Sequence, residues 1–348
     1  MADKAVLQYG SLAGWPFKLA EGLKSIGQAS VNVIPEDSDF ADLSRRLPFH
    51  EAISSPSSPR PIKVAQRFRF LLDIPEKFSL VHYHASHLLR GSAHHLFEGP
   101  YLARNKVPMI VSFAGSDARI ISKATANNPY FFLEKDPVRD ARIEKYLSSI
   151  SKHVRYAATD CEMAEYISPY FEHVFTFRQP ACLDELKYSI PRVDRPPVFL
   201  HVPTDTEVKG TSFIISAIER LRAEGFVFEF RVKRKLTQSE LYREISDCDV
   251  YIDELRCGSH GVTAVEAMAI GKPTVSYIRG DLLSKYPADL PLVNANPDSI
   301  YDELKKLVGN PSLREKLSRK GRCYVEKYHD LLIVSREMLD VYREIGLK

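Results

Sequence analysis

The stretch Asp249–Ile278, DVYIDELRCGSHGVTAVEAMAIGKPTVSYI, decides how the rest of the chain is read. Val250 and Ile252 belong to a short strand that ends in the acidic pair Asp253-Glu254. A loop from Arg256 to Gly261 follows, with glycines at 258 and 261. From Val262 to Ile270 the residues are apolar on nearly every face, which predicts a buried helix. Gly271-Lys272-Pro273 then turns the chain into another strand over 274–278. Glu266 is the exception inside that helix. A carboxylate among Ala, Val and Met is costly to bury unless a partner neutralises it or hydrogen-bonds to it.

Chemistry alone leaves two readings of Glu266 open. A glycine-bearing loop at a helix start offers free N–H groups and a partial positive charge to an anion. A carboxylate a turn further in can accept two hydrogen bonds from a vicinal diol. Phosphate at the helix start with ribose beside it is the outline of a nucleotide site. In the other reading Glu266 pairs with a structural Arg or Lys.

The pattern G-x4-E-A-M-A-x-G-K-P-x-V-x-Y, from Gly261 to Tyr277, resembles the signature of the retaining GT-B glycosyltransferases that use nucleotide sugars. The resemblance implies two Rossmann-like α/β domains facing each other across a cleft. It implies that Gly261 and its neighbour Val262 bind the donor diphosphate through backbone amides, and that Glu266 holds the ribose hydroxyls. The family usually carries another glutamate seven residues earlier, near the donor hexose. Here that position is Ser259, with Glu254 and His260 nearby as substitutes.

The bulk composition agrees with such a protein. A chain of 348 residues has room for two domains with full cores, and 44% hydrophobic with 27% charged residues is ordinary globular composition. A net charge of +3 gives no argument for nucleic acid as a partner. No apolar run approaches the ~18–20 residues of a membrane span, and MADKAVLQYG lacks a signal-peptide core. Five cysteines without CxxC spacing suit reduced thiols, so a cytoplasmic protein without a zinc site is expected.

In the N-terminal half, a strand over 5–9, the loop Gly10 to Gly14 and a helix closed by Gly27 open a doubly wound sheet. The spacing is not GxGxxG. The resemblance implies that Gly10 and Gly14 approach the donor phosphates or sugar, while a plain tight turn is the other reading. Residues 60–72 interleave Arg60, Lys63, Arg67 and Arg69 with Ile62, Val64, Phe68 and Phe70. This stretch reads as a half-buried helix with a solvated basic face, or as a contact with an anionic membrane surface or lipid-linked acceptor. On the second reading the protein sits peripherally on the inner face of the cell membrane.

A strand over 78–82 leads into His82-Tyr83-His84-Ala85-Ser86-His87, at the carboxyl end where ligand crevices lie. The resemblance implies a histidine against the donor sugar or leaving phosphate. His84, expected beyond the strand end, is preferred over His82. Its neutral imidazole is expected to donate to the developing phosphate charge. As a metal motif, HxHxxH lacks a carboxylate at matching spacing. Ala114-Gly115-Ser116-Asp117-Ala118-Arg119 resembles the family's HGSD-R turn, which makes Asp117 and Arg119 cleft candidates. Asp117 reads equally well as a cap of the next helix.

Residues 190–197, rich in proline and charge, mark an interdomain linker. The expected division is 1–190 for the acceptor domain and 196–330 for the nucleotide-sugar domain, with a last helix over 331–348 crossing back onto the first. In the second domain a strand leads to a Lys209-Gly210 loop before a helix, and the resemblance implies that Lys209 neutralises the donor diphosphate. Thr206 stands where an arginine is usual. Lys233 and Arg234, with Arg231 and Lys235, are the expected replacements, or else a solvent-facing charge run.

The reading that results is transfer of a hexosyl group, with retention, from a UDP-sugar (GDP less favoured) to a glycan or lipid-linked hydroxyl. It belongs to polysaccharide or glycolipid synthesis, with His84, Lys209 and Asp117 as catalytic residues and no metal required. The alternatives are an inert nucleotide-sugar-binding partner protein and a GT-B nucleotide-sugar epimerase.

Overall fold

The computed structural model describes residues 4–36, 47–89 and 93–347; Lys348, the end of the expected last helix, lies outside them. The first sheet contains β1 (Ala5–Tyr9), β2 (Ser30–Glu36), β3 (Glu51–Ser54), β4 (Phe78–His84), β5 (Met109–Ser112), β6 (Tyr156–Thr159) and β7 (His173–Thr176). They pair in parallel in the order β3-β2-β1-β4-β5-β6-β7. The second sheet contains β8 (Val198–His201), β9 (Glu229–Val232), β10 (Val250–Ile252), β11 (Thr274–Ser276) and β12 (Val293–Asn294), in the order β12-β11-β10-β8-β9.

Parallel strands covered on both faces must be apolar throughout, and the central strands are. Leu7, Tyr9, Val81, Tyr83 and Val111 point to one face of the first sheet. Val6, Leu80 and Ile110 point to the other, where they meet Trp15, Leu19 and Leu23 of the helix Trp15–Ser25. In the second sheet Leu200 and Tyr251 share one core, while Phe199, Val250, Ile252 and Val275 share the opposite one.

The last helix, Leu331–Glu344, returns to the first sheet and buries Val334, Met338, Leu339 and Tyr342 against Trp15, Leu19 and Leu23. Gly22 permits this close crossing, because a Cβ there would sit 2.1 Å from Ser335 Oγ. Beneath the crossing lies a buried polar chain. Gln8 Nε2 donates to Tyr342 Oη at 3.0 Å, and His82 Nδ1 lies 2.7 Å from the same hydroxyl. His82 Nε2 lies 2.7 Å from Ser112 Oγ, and His84 Nε2 lies 2.8 Å from Gln8 Oε1.

Two local expectations change. Strand β4 runs on to His84, in register with Ser112 of β5, so His84 ends the strand instead of lying beyond it. Strand β3, a short and largely exposed edge, has too little apolar alternation to be read from sequence.

Tyr342→Phe leaves Gln8 and His82 without their shared hydroxyl partner. The expected loss is about 1–3 kcal/mol of stability, read from urea unfolding midpoints at unchanged slope.

Candidate functional site

In each sheet the strand order reverses once, and loops leaving the strands on either side of a reversal part to form a crevice. In the second sheet the reversal lies between β8 and β10. The loop after β8 carries Lys209, and the loop after β10 carries Asp253 to Gly261. The chemistry singled out in the sequence therefore falls on both sides of one crevice.

The helix Val262–Ile270 buries every residue from Ala264 onward. Gly261 is its N-cap; the Gly261 amide donates to Asp253 Oδ2 at 3.4 Å, while the amides of Val262 and Thr263 have no side-chain acceptor among the described residues. Lys209 Nζ lies 2.7 Å from Asp253 Oδ1 and 3.4 Å from Glu254 Oε2. A Cβ placed on Gly261 would be 3.7 Å from that ammonium, so Lys209 stands at the helix start. Burial raises Glu254 above the usual carboxylate range, with Lys209 pulling it down. Two carboxylates face one ammonium here. An anion entering the loop is opposed unless Glu254 holds a proton.

Glu266 has an internal partner and also lies at the boundary between the two halves. Its Oε1 accepts from Lys18 Nζ at 3.3 Å and from Tyr242 Oη at 2.8 Å. Oε2 has no hydrogen-bond partner among the described residues. Lys18 belongs to Trp15–Ser25 of the first domain and Tyr242 to the helix Gln238–Asp247 of the second. Both sequence readings thus meet at one residue: a lysine does pair with Glu266, but it reaches over from the opposite domain. Val262 also packs on the first-domain cluster of Trp15 and Phe177. Further ties cross the boundary. Asn128 Nδ2 donates to the Arg256 and Cys257 carbonyls at 2.7 and 3.1 Å, and Arg279 pairs with Glu165 at 2.6 Å.

On the first-domain side Gly10 (φ +119°) ends β1, and a Cβ there would come within 2.6 Å of the His84 carbonyl oxygen. Gly14 (φ +77°) is the left-handed N-cap of Trp15–Ser25. His84 is 1% exposed, and burial lowers its pKa to about 3. The ring is therefore neutral. With Nε2–H donated to Gln8 Oε1, the unpartnered Nδ1 carries a lone pair and accepts hydrogen bonds. That corrects the donor role expected toward phosphate. Asp117 accepts from the amides of Gly115 (2.7 Å) and Ala114 (3.2 Å), which stabilises its own turn. The next helix, Ile121–Asn127, is served instead by Asp140, which accepts from the Ile121 and Ser122 amides. Arg119 forms a two-pronged pair with Glu162 at 2.8 and 2.7 Å.

Ser259 Oγ lies 3.0 Å from Tyr286 Oη. His260 is buried beside the Tyr286 ring (5.1 Å between centroids) and neither ring nitrogen has a hydrogen-bond partner. The expected replacement cations follow the carboxyl end of β9, the strand beside β8. Lys233 pairs with Glu244 at 3.5 Å, and Arg234 is exposed beyond β9. Lys18 is the cation that sequence reasoning missed. A signal existed, since a lysine in the opening turn opposes the helix dipole and so calls for an outside anion.

No protein-family model and no curated protein matches the sequence. Solved structures do match over nearly the whole chain. Sucrose-phosphate synthase from Thermosynechococcus elongatus is 15% identical with a TM-score of 0.65, covering 98% of this chain and 99% of that one. Anabaena HepE, solved in complex with UDP-glucose, is 9% identical with a TM-score of 0.65 and the same coverage. WaaG, a glycosyltransferase of lipopolysaccharide biosynthesis, is 13% identical with a TM-score of 0.58, covering 97% and 98%. The chain has the GT-B fold.

Lys209→Met strands Asp253 and Glu254 without their cation, at an expected cost of about 3–5 kcal/mol near pH 8. Glu254 already has a folded pKa above its unfolded value, and the variant raises it further. The folded variant then binds the extra proton, so stability falls as pH rises through that pKa. Denaturant unfolding should show a much smaller deficit at pH 5 than at pH 8.

Proposed function

We propose that this protein is a glycosyltransferase that moves a hexosyl group from a UDP-sugar to a hydroxyl of a glycan or lipid-linked acceptor, with retention of configuration. The observation that carries the reading is the grouping at one crevice of Lys209, the uncapped start of Val262–Ile270, and Glu266 at the domain boundary. In the proposed complex the diphosphate lies against the helix start and the Lys209 ammonium. The ribose hydroxyls bond to Glu266, taking its free Oε2 and replacing Lys18 on Oε1.

The bond from the sugar's anomeric carbon to the diphosphate breaks with its electron pair going to the leaving oxygen, the acceptor oxygen bonds to the same carbon, and the acceptor's proton passes to the leaving diphosphate. Lys209 and the first-turn amides stabilise that charge, so the protein supplies electrostatic stabilisation where it develops. His84 Nδ1, a lone-pair acceptor, suits a hydroxyl of the donor hexose. UDP is preferred over GDP because HepE was solved with UDP and with UDP-glucose.

Acceptor capture is assigned to the first domain. There the helix Arg60–Lys77 exposes Ile62, Val64, Phe68 and Leu72 among its cations, beside a cavity of about 420 Å³ lined by Arg60, Lys63 and Arg67. Such a face suits an anionic, partly apolar acceptor or the membrane that holds it.

One observation favours a second reading, a nucleotide-sugar binder without turnover. Ser259 is engaged by Tyr286 where the family's glutamate would stand, and two carboxylates compete for Lys209.

Two measurements test the proposal. Glu266→Ala should weaken UDP binding by about 1–3 kcal/mol, roughly 5–150-fold, in calorimetry. Slow release of glucose from UDP-glucose without acceptor is expected from a transferase and not from an inert binder. Unchanged UDP affinity in a folded Glu266→Ala variant would refute the donor site.

A further inference from the structure

A second cluster lies in the first domain, in the loop region that follows β4. His87, His94 and Glu98 each bring one donor atom to within 4.8 Å of the others. His94 is 3% exposed, and neither ring nitrogen has a hydrogen-bond partner among the described residues; its Nδ1 stands 3.3 Å from Glu98 Oε2 without hydrogen-bond geometry. His87 commits Nε2 to Tyr146 Oη at 2.6 Å and leaves Nδ1 buried and unpartnered. The two imidazoles lie 4.2 Å apart, nearly stacked. Glu98 is fully buried and is held by Tyr83 Oη at 2.7 Å and the Leu89 amide at 2.8 Å.

Buried ring nitrogens without partners are uncommon, and each is unfavourable until something binds it. A proton does not resolve this cluster. Placed on His94 it would serve the Glu98 side only, leave His87 Nδ1 unmet, and set an imidazolium against a stacked imidazole. A cation that takes one lone pair from each ring and an oxygen from Glu98 serves both imidazoles and the carboxylate at once, leaving only the second His94 nitrogen as an N–H.

We propose that His87, His94 and Glu98 bind a divalent transition metal of the zinc class. Two imidazoles and one carboxylate are a borderline-soft donor set suited to such ions. Donor atoms around a tetrahedral zinc are ~3.4 Å apart, so the cluster needs only a modest inward shift. The surrounding bonds are those expected around metal ligands. Tyr146 fixes the His87 ring, while Tyr83 and Leu89 fix the carboxylate.

His87 and His94 line a cavity of about 380 Å³ that also takes in Asp117, Tyr146 and Ser149. A bound ion would sit in its wall, with any remaining coordination position open to a ligand there. The HxHxxH run supplies only its last histidine. The carboxylate that it lacked comes from Glu98, eleven residues after His87. None of the three ligands is a residue assigned to the donor, so the proposal stands whether or not that reading holds.

The test uses tag-free protein stripped with chelator and titrated with zinc chloride by calorimetry, followed by thermal unfolding with and without zinc. One equivalent bound in the micromolar range or tighter, with a raised melting temperature, is expected. His94→Ala and His87→Gln should each lose at least tenfold in zinc affinity while keeping the far-UV dichroism and UDP binding of the parent. No stoichiometric zinc uptake by the parent would overturn the proposal. So would uptake that is unchanged in whichever variant folds.

Discussion

The ion pair between Lys18 and Glu266 joins the two halves of the molecule at the point where the crevice chemistry is concentrated. Each residue lies about one turn into a helix, and the two helices belong to different sheets. The side chains are only 11% and 6% exposed. Removing one partner from a pair this well buried costs about 3–5 kcal/mol, because the other charge is left without compensation. Whatever displaces Lys18 must therefore give Glu266 equivalent hydrogen bonds. Tyr242 holds the same oxygen and stays in place during the exchange. Two adjacent hydroxyls meet that demand, which is why the proposed ribose contact and the internal pairing are two states of one carboxylate.

The architecture places Glu266 and the crevice loops together. Reversal of strand order between β8 and β10 brings the Lys209 loop beside the Asp253–Gly261 loop. The corresponding reversal in the first sheet, between β1 and β4, brings Gly10 against His84. The last helix covers the face of β1 that carries Gln8, so the first-domain edge of the crevice rests on the buried polar chain of Gln8, His82, His84 and Tyr342. Within the donor loop the charges oppose one another. Asp253 and Glu254 hold Lys209 firmly, and burial makes Glu254 ready to take a proton. A diphosphate entering there competes with carboxylates already present.

Sequence patterning made the fold legible, because apolar runs at strand spacing, glycine turns and the Gly261–Tyr277 motif all point to the same doubly wound arrangement. The loops after β8 and β10, with Lys209 and Glu266, were also visible as a strand–loop–helix pattern. The patterning missed what depends on long-range contact. Lys18 is separated from Glu266 by 248 residues and resembles any lysine on an amphipathic helix. His84 is the last residue of its strand, where the sequence pattern places it beyond the strand end. Its hydrogen-bond polarity, however, follows from Gln8, two strands' worth of sequence away. Asp117 was weighed as a helix cap and turned out to stabilise its own turn, since Asp140 already serves that helix. The charge of Lys233 and Arg234 is visible in sequence, whereas the pairing of Lys233 with Glu244 is not.

The most direct measurement is a calorimetric comparison of UDP with 2′-deoxy-UDP on the parent protein and on Glu266→Ala. If the carboxylate binds ribose, loss of one charged hydrogen bond should cost the deoxy nucleotide about 1.5–3 kcal/mol, roughly 10–150-fold, in the parent. That preference should vanish in the variant. Equal affinity of the parent protein for the two nucleotides would contradict the exchange of Lys18 for ribose at Glu266.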